Sequence, residues 1–313
     1  MSNSEVQDFK RCRRRWWLRD LRGLKSLRPD LTGARALGDR VHDVLACFYS
    51  PGAGDVDRPV VVRALWDYET QCLLERAGED VYLAKEVADD SDLGRAMLEG
   101  YFQWLEESGE DNDYEVIGAE REMAVDFAAV PGVRLTAKLD VRVLRHSNGA
   151  RLFIDHKTVQ TLKDLTKIAD IHEQFLHYCL LDLLEHLAAG DHSDATFVDG
   201  GVYNMLRKVK RTVRAQPPFY GRHEVRHTRD ELRLYYTRLY GVVSEMLRAE
   251  ARLAAGEDHH AVVYPTPTRD CDWDCEFRRA CPMFDRPAED AEGFLREAFV
   301  AGDPYDRYKE VAR

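Results

Sequence analysis

The spacing of apolar positions changes at Tyr114. From Ser4 to Gly23, Gly33 to Ser50, Val60 to Ala77 and Leu93 to Glu107 the residues favour helix, with apolar positions three and four apart, so the first third is predicted to be mainly helical. After the acidic and polar stretch Glu106 to Asp113 the period falls to two, and β-branched residues alternate with polar ones from Tyr114 onward. The alternation is clearest from Val133 to Val143: Val133, Leu135, Ala137, Leu139, Val141 and Val143 point one way, Arg134, Thr136, Lys138, Asp140 and Arg142 the other. A second strand, Arg151 to Val159, follows Ser147-Asn148-Gly149, and Asn-Gly predicts a tight two-residue hairpin. Beyond it, Asp170 to Leu187 reads as helix, Thr196 to Leu206 and Tyr220 to His227 as strands, and Arg229 to Ala255 as a long helix with Thr228 as N-cap.

The hairpin register gives the first chemistry. With Asn148 and Gly149 as the turn, Asp140 is expected opposite Lys157 and Arg142 opposite Asp155, which gathers Asp140, Asp155 and Lys157 on one face of the sheet. Two acids and a lysine suit phosphodiester hydrolysis, in which carboxylates hold Mg²⁺ or Mn²⁺ and an ammonium orients the attacking water. The same three residues would equally make a cross-strand ion pair on a solvated face.

Composition narrows the setting. With 44% hydrophobic and 32% charged residues and no apolar run of bilayer length, the chain reads as a globular protein without a membrane segment, and its start carries no secretion signal, so it is expected to be cytoplasmic. Nothing resembles a flexible linker, so one elaborated α/β domain and two domains are both compatible with 313 residues. A net charge of −11 argues against indiscriminate coating of nucleic acid but leaves room for a local basic groove. Lys10, Arg11, Arg13, Arg14, Arg15, Arg19, Arg22 and Lys25 form one basic run, and Arg207, Lys208, Lys210, Arg211 and Arg214 another; either would also suit a solvated face.

Seven cysteines without regular spacing do not make a disulfide framework, but Cys271, Cys275 and Cys281 crowd together and suggest metal ligation. Three thiolates are one short of a structural Zn²⁺ or a [4Fe–4S] cluster. Cys47, Cys72 and Cys179 sit in helical contexts that suit core packing, whereas Cys12 lies among arginines that favour a thiolate, making it the natural fourth ligand.

Ala137-Lys138-Leu139-Asp140 and Ile154-Asp155-His156-Lys157-Thr158, preceded by Gly38-Asp39-Arg40-Val41-His42 and followed by Gln174 and Tyr178, stand in an order that resembles the PD-(D/E)xK nucleases, in particular the RecB-like and CRISPR-associated exonuclease branch. Ala137 replaces the glycine of that family's G-x-x-D element. The resemblance implies a restriction-endonuclease-like α/β fold: a mixed sheet with flanking helices over 111–260, a mainly helical region over 1–110, and a Cys-rich clasp with a terminal helix over 261–313.

It further implies a metal-dependent deoxyribonuclease, acting as an exonuclease on single-stranded or end-bearing DNA, with His42, Asp140, Asp155 and the His156 carbonyl as metal ligands. Lys157 would position the nucleophile, while Gln174 and Tyr178, four apart on one helical face, would bond DNA or fix Lys157. Glu120 and Glu122 stand as minor alternative ligands. Cys12, Cys271, Cys275 and Cys281 resemble the iron–sulfur clasp of this branch, with Zn²⁺ as the alternative and Trp273, Phe277 and Pro282 as an apolar shell. Arg13, Arg14, Lys208 and Arg211 are the expected phosphate contacts, although the segment Tyr203 to Arg214 would also suit an exposed edge strand guarded by cations. A non-catalytic DNA-binding or assembly protein on the same scaffold is the rival, and homo-oligomers or recombination and replication proteins are compatible partners.

Overall fold

The computed structural model describes residues 1–27, 30–50, 57–191, 193, 197–198, 200–303 and 305, apart from the Glu120 side chain. Side-chain caps set many of the helix boundaries. Ser2 accepts the Glu5 N–H while Glu5 reaches back to the Ser2 N–H, opening α1 (Asn3–Arg11). The continuous helix expected to Gly23 is interrupted at Cys12, whose backbone is extended (φ −157°, ψ 108°); α2 (Arg13–Trp16) and a π-helical turn (Trp17–Leu21) follow. No proline or glycine causes the break, so long-range contacts override local helix propensity here. β1 (Leu24–Ser26) and α3 (Gly33–Phe48) come next, then α4 (Arg58–Ala77), capped by Asp57.

α5 (Val81–Ser108) is capped by Asp80 and begins well before the expected Leu93. Its buried stripe runs Val87, Ser91, Gly94, Leu98, Tyr101 and Leu105, a regular helical spacing in which Ser91 and Gly94 carry no apolar signal. Gly94 is small because the Trp66 ring occupies its place: a Cβ there would stand 2.2 Å from the indole.

The strands β2 (Tyr114–Asp126), β3 (Arg134–Arg145), β4 (Arg151–Val159), β5 (Gly200–Arg207) and β6 (Tyr220–Arg226) form a mixed sheet in that order. β3–β4 and β5–β6 are antiparallel and β4–β5 parallel. The parallel step needs a crossover, supplied by α6 (Leu162–Thr166) and α7 (Glu173–Ala188). The segment read as a strand from Tyr203 to Arg214 leaves the sheet after Arg207, and β5 is no exposed edge: it lies between β4 and β6, buried from Gly200 to Leu206. Of the expected strand start, Thr196 lies outside the described residues. This mixed sheet with flanking helices is the restriction-endonuclease-like class expected from the sequence. α8 (Arg229–Ala254) opens on Thr228 as expected, through reciprocal bonds with Glu231. α9 (His259–Val262), α10 (Ala291–Ala298) and β7 (Phe299–Ala301) follow, and β7 pairs with β1. Among the described residues no helix is long and apolar enough to cross a membrane.

Two compact units are formed from interleaved segments, one from Met1–Pro29, Ala124–Ala137 and Arg233–Arg313, the other from Asp30–Met123 and Lys138–Leu232. In the second, Leu37, Val41, Leu45, Trp66, Leu98 and Tyr101 of α3–α5 pack with Val141, Ile154 and Val202 of the sheet. Arg142 and Asp182 form a buried ion pair at 2.9 Å, and Asp182 also accepts the Val198 N–H at 3.1 Å. Removing one member of such a pair strands the other charge, so Asp182→Ala is expected to cost about 3–5 kcal/mol, read as a lowered urea midpoint at unchanged slope.

In the first unit, Leu18, Leu24, Phe277, Ala280, Leu295 and Phe299 make an apolar cluster. Around it the basic N-terminal run meets acids of the C-terminal segment: Arg11 and Arg15 bond Asp274 (2.5 and 3.1 Å), Arg14 bonds both oxygens of Asp285 (3.0 and 3.1 Å), and Arg22 both oxygens of Glu292 (2.8 and 2.9 Å). Much of that run is therefore neither a solvated face nor a free phosphate groove.

Candidate active site

The expected register of β3 and β4 is displaced by two residues. Val141 faces Ile154 and Leu144 faces Arg151, because the connection is longer than an Asn-Gly turn: Arg145 N–H bonds the Ala150 carbonyl, and Asp113 captures Ser147 through its N–H and hydroxyl. A shift of two preserves which face each side chain occupies, so the gathering of acids survives the correction. Continuing the ladder puts Asp140 opposite Asp155, not Lys157.

Gly38 brings the α3 histidine to this place. A Cβ at Gly38 would stand 3.1 Å from Thr158 Oγ1, so the absent side chain lets α3 lie close to β4, and His42 follows one turn later. His42 Nδ1 is 3.2 Å from Asp140 Oδ2, which also accepts the His156 N–H at 2.8 Å. Lys157 Nζ lies 2.7 Å from Asp155 Oδ2, while Gln174 donates to Asp155 Oδ1 at 2.7 Å and to the Tyr178 hydroxyl at 2.8 Å. His42, Asp140, Asp155, His156, Lys157, Gln174 and Tyr178 thus form one connected constellation.

Its electrostatics differ from group to group. Burial works to raise the Asp140 pKa, but His42, with His156 and Lys157, holds it well below the usual carboxylate range. Burial dominates at Asp155, whose pKa is raised despite Lys157, with Asp140 adding to the rise. Burial favours deprotonated His42, yet Asp140 more than offsets this and its pKa stands above the ordinary histidine value. Burial depresses His156 to about 3, so this ring is neutral. Two carboxylates and an imidazole are donor types that suit Mn²⁺ or Mg²⁺, although the His42, Asp140 and Asp155 ligand atoms do not lie mutually within 4.8 Å, and a divalent charge would offset the repulsion that Asp140 adds at Asp155.

Several neighbours carry no local sequence signal. His156 on β4, Asn204 on β5 and Arg222 on β6 lie side by side in the sheet, and Tyr49, Tyr101 and Asp111 complete a buried polar network with them. Next to Asp155 across the strands stands Tyr203, whose hydroxyl meets His172 Nδ1 at 2.8 Å. These groups become adjacent only through strand register, which local periodicity cannot supply. Glu122 lies on β2, and the Glu120 side chain is outside the described residues.

Of the expected phosphate contacts, Arg13, Arg14 and Arg211 are bonded within the protein. Arg14 is buried, with its guanidinium committed to Asp285 and the Cys281 carbonyl, which removes it from the DNA-contact set. Arg13 bonds Glu245 at 2.9 Å and stacks on Phe9. Arg211 bonds the Gly100 carbonyl and Gln103 against the Tyr220 ring, and Lys208 is half-buried.

Within the first unit, N–H donors point at three sulfurs: Thr266 to Cys12 (3.5 Å), Thr268 to Cys271 (3.4 Å) and Arg14 to Cys281 (3.8 Å). Cys271 and Cys12 contribute to the raised pKa values of Cys275 and Cys281, for which burial is the main cause. Among the described residues, the one trio of His, Cys, Asp and Glu ligand atoms lying mutually within 4.8 Å is Asp258, His259 and His260. Of the expected shell, Phe277 is buried, but Trp273 is 73% exposed. Cys179 is buried as expected for core packing, whereas Cys47 and Cys72 are only half-buried on their helices.

A search among curated proteins finds no match. The family model of the PD-(D/E)XK nuclease superfamily matches residues 1–282, a span that holds the whole constellation and Cys12, Cys271, Cys275 and Cys281, and the chain belongs to that superfamily.

Proposed function

We propose that the protein is a Mg²⁺- or Mn²⁺-dependent DNA exonuclease of the RecB-like branch. The observation that carries this reading is the convergence of His42, Asp140, Asp155 and Lys157 within hydrogen-bonding distance of one another in pairs. His42, Asp140, Asp155 and the His156 carbonyl would hold the cation. When bound, a divalent ion supplies Lewis-acid polarisation of the scissile phosphate and stabilises its developing charge. Lys157 orients the attacking water with its ammonium, Gln174 keeps Asp155 directed through Oδ1, and Tyr178 anchors the Gln174 amide.

The test is incubation of end-labelled linear DNA and covalently closed circular DNA with the purified protein and Mn²⁺. Progressive shortening of linear substrate with circles intact supports the reading; intact linear DNA under every divalent ion refutes it and favours the non-catalytic rival.

Acid is expected to compete with metal. The raised His42 pKa means that its pair with Asp140 stabilises the metal-free protein fully below the unfolded histidine value, a contribution lost as pH rises through the folded value. A ligating imidazole must be neutral, so calorimetric Mn²⁺ affinity should strengthen from about pH 6 to pH 8, with proton release on binding.

We further propose that Cys12, Cys271, Cys275 and Cys281 hold a structural [4Fe–4S] cluster. Four thiol donors with N–H groups directed at three of them suit ligated thiolates.

A further inference from the structure

We infer that Asn204 is a positioning residue for the metal centre: the Asn204 amide, oriented by Arg222 and Tyr101, fixes one tautomer of His156 and with it the main chain that holds Asp140. This deepens the nuclease reading and rests on it. Register provides the starting point, because β4, β5 and β6 set His156, Asn204 and Arg222 in one row across the sheet. Asn204 is fully buried, so both ends of its amide need partners.

Hydrogen-bond direction then follows from groups that have only one role. A guanidinium only donates, so Arg222 Nε, 3.2 Å away, faces the amide oxygen of Asn204. The amide nitrogen must therefore face the other two partners, the Tyr101 hydroxyl and His156 Nδ1, each at 2.9 Å. The far end agrees: Tyr49 donates to the Asp111 carboxylate at 2.8 Å, so at 2.6 Å it accepts from Tyr101, whose own oxygen is left to accept from Asn204. Arg222 also donates to Asp111, closing the network. His156 Nδ1 is consequently an acceptor without a proton, and the neutral ring carries its proton on Nε2.

The effect reaches the site through His156 itself. Its N–H holds Asp140 Oδ2 at 2.8 Å, and its ring stacks on Tyr49 at 5.2 Å, so a turned ring would disturb the strand between the two acids. Groups that orient metal ligands from behind commonly change metal affinity or activity by about 10–100-fold when altered.

Asn204→Asp provides the test, since it keeps shape and the acceptor toward Arg222 but replaces the donor toward His156 with a second acceptor. Ring ¹⁵N shifts at neutral pH are expected to show Nδ1 bare and Nε2 protonated in the wild-type protein, and Nδ1 protonated in the variant. The Mn²⁺ concentration for half-maximal binding, measured by calorimetry without DNA, should rise by about 10–100-fold, with KM for DNA unchanged at saturating Mn²⁺. A wild-type ring protonated on Nδ1 overturns the inference, as does a variant with unaltered Mn²⁺ binding. Wild-type protein that binds no Mn²⁺ defeats the nuclease reading, and the metal-positioning role with it, while the tautomer result would still stand on its own.

Discussion

Asp155→Asn is expected to abolish DNA cleavage, by at least about a thousandfold, while leaving the metal-free protein no less stable than wild type. The two effects have one cause. Asp155 is buried and its pKa is raised by that burial, so its ionised form is disfavoured in the fold. A raised carboxyl pKa contributes stability below the unfolded value and loses it as pH rises through the folded value, so at neutral pH the charge opposes folding. The amide removes the charge and preserves the shape and a carbonyl acceptor for Gln174. Lys157 loses its partner, but its side chain is 29% exposed and can be hydrated.

A bound cation reverses the balance, because ligation favours the charged carboxylate. Mn²⁺ at about a hundred times Kd should stabilise wild-type protein by about 2.7 kcal/mol, and this gain should shrink or vanish in Asp155→Asn. Thermal unfolding with and without Mn²⁺, beside cleavage of end-labelled DNA, reads both quantities on the same samples. Cleavage within tenfold of wild type would remove Asp155 from the mechanism.

How far the site was legible depended on the range of the interaction. Alternation around Asp140 and along Asp155–Lys157 is local, and it gave the correct face even though the turn was misread by two residues, since strand side chains repeat every two. Gln174 and Tyr178 follow from helical spacing alone and do touch. Asn204, Arg222 and Asp111 could not be found in that way: their roles appear only when three strands are set side by side. The early part of α5 was hidden for a different reason, because Trp66 fills the place of the side chain that Gly94 lacks, and the buried stripe loses its apolar signal there. The basic N-terminal run misled because charge in a sequence has no partner until the fold supplies one. Asp274, Asp285 and Glu292 lie more than two hundred residues away, and they claim the arginines that composition offered to DNA.

The same distant pairing frames the largest stability effect expected of the protein. Cys12→Ser should abolish the visible absorbance of the anaerobically purified protein and lower its thermal midpoint sharply, whereas Cys72→Ala should do neither. Ion pairs between the N-terminal arginines and the C-terminal acids cannot hold that segment alone: most involve half-exposed carboxylates, and such pairs contribute on the order of 0–1 kcal/mol each. Ligation of a structural metal at four thiolates is worth on the order of 10 kcal/mol at neutral pH, so it would dominate the stability of the first unit. Cys12 stands at the break between α1 and α2, where the extended backbone interrupts an otherwise helical run and Thr266 N–H meets its sulfur. Serine keeps the size and a weak acceptor there, so a large loss would report ligation and not packing. Limited proteolysis of the variant should then open the segment after Ala254, which wild-type protein should protect. Unchanged absorbance in Cys12→Ser would assign the fourth ligand elsewhere, and absence of iron from wild-type protein prepared without oxygen would end the cluster proposal.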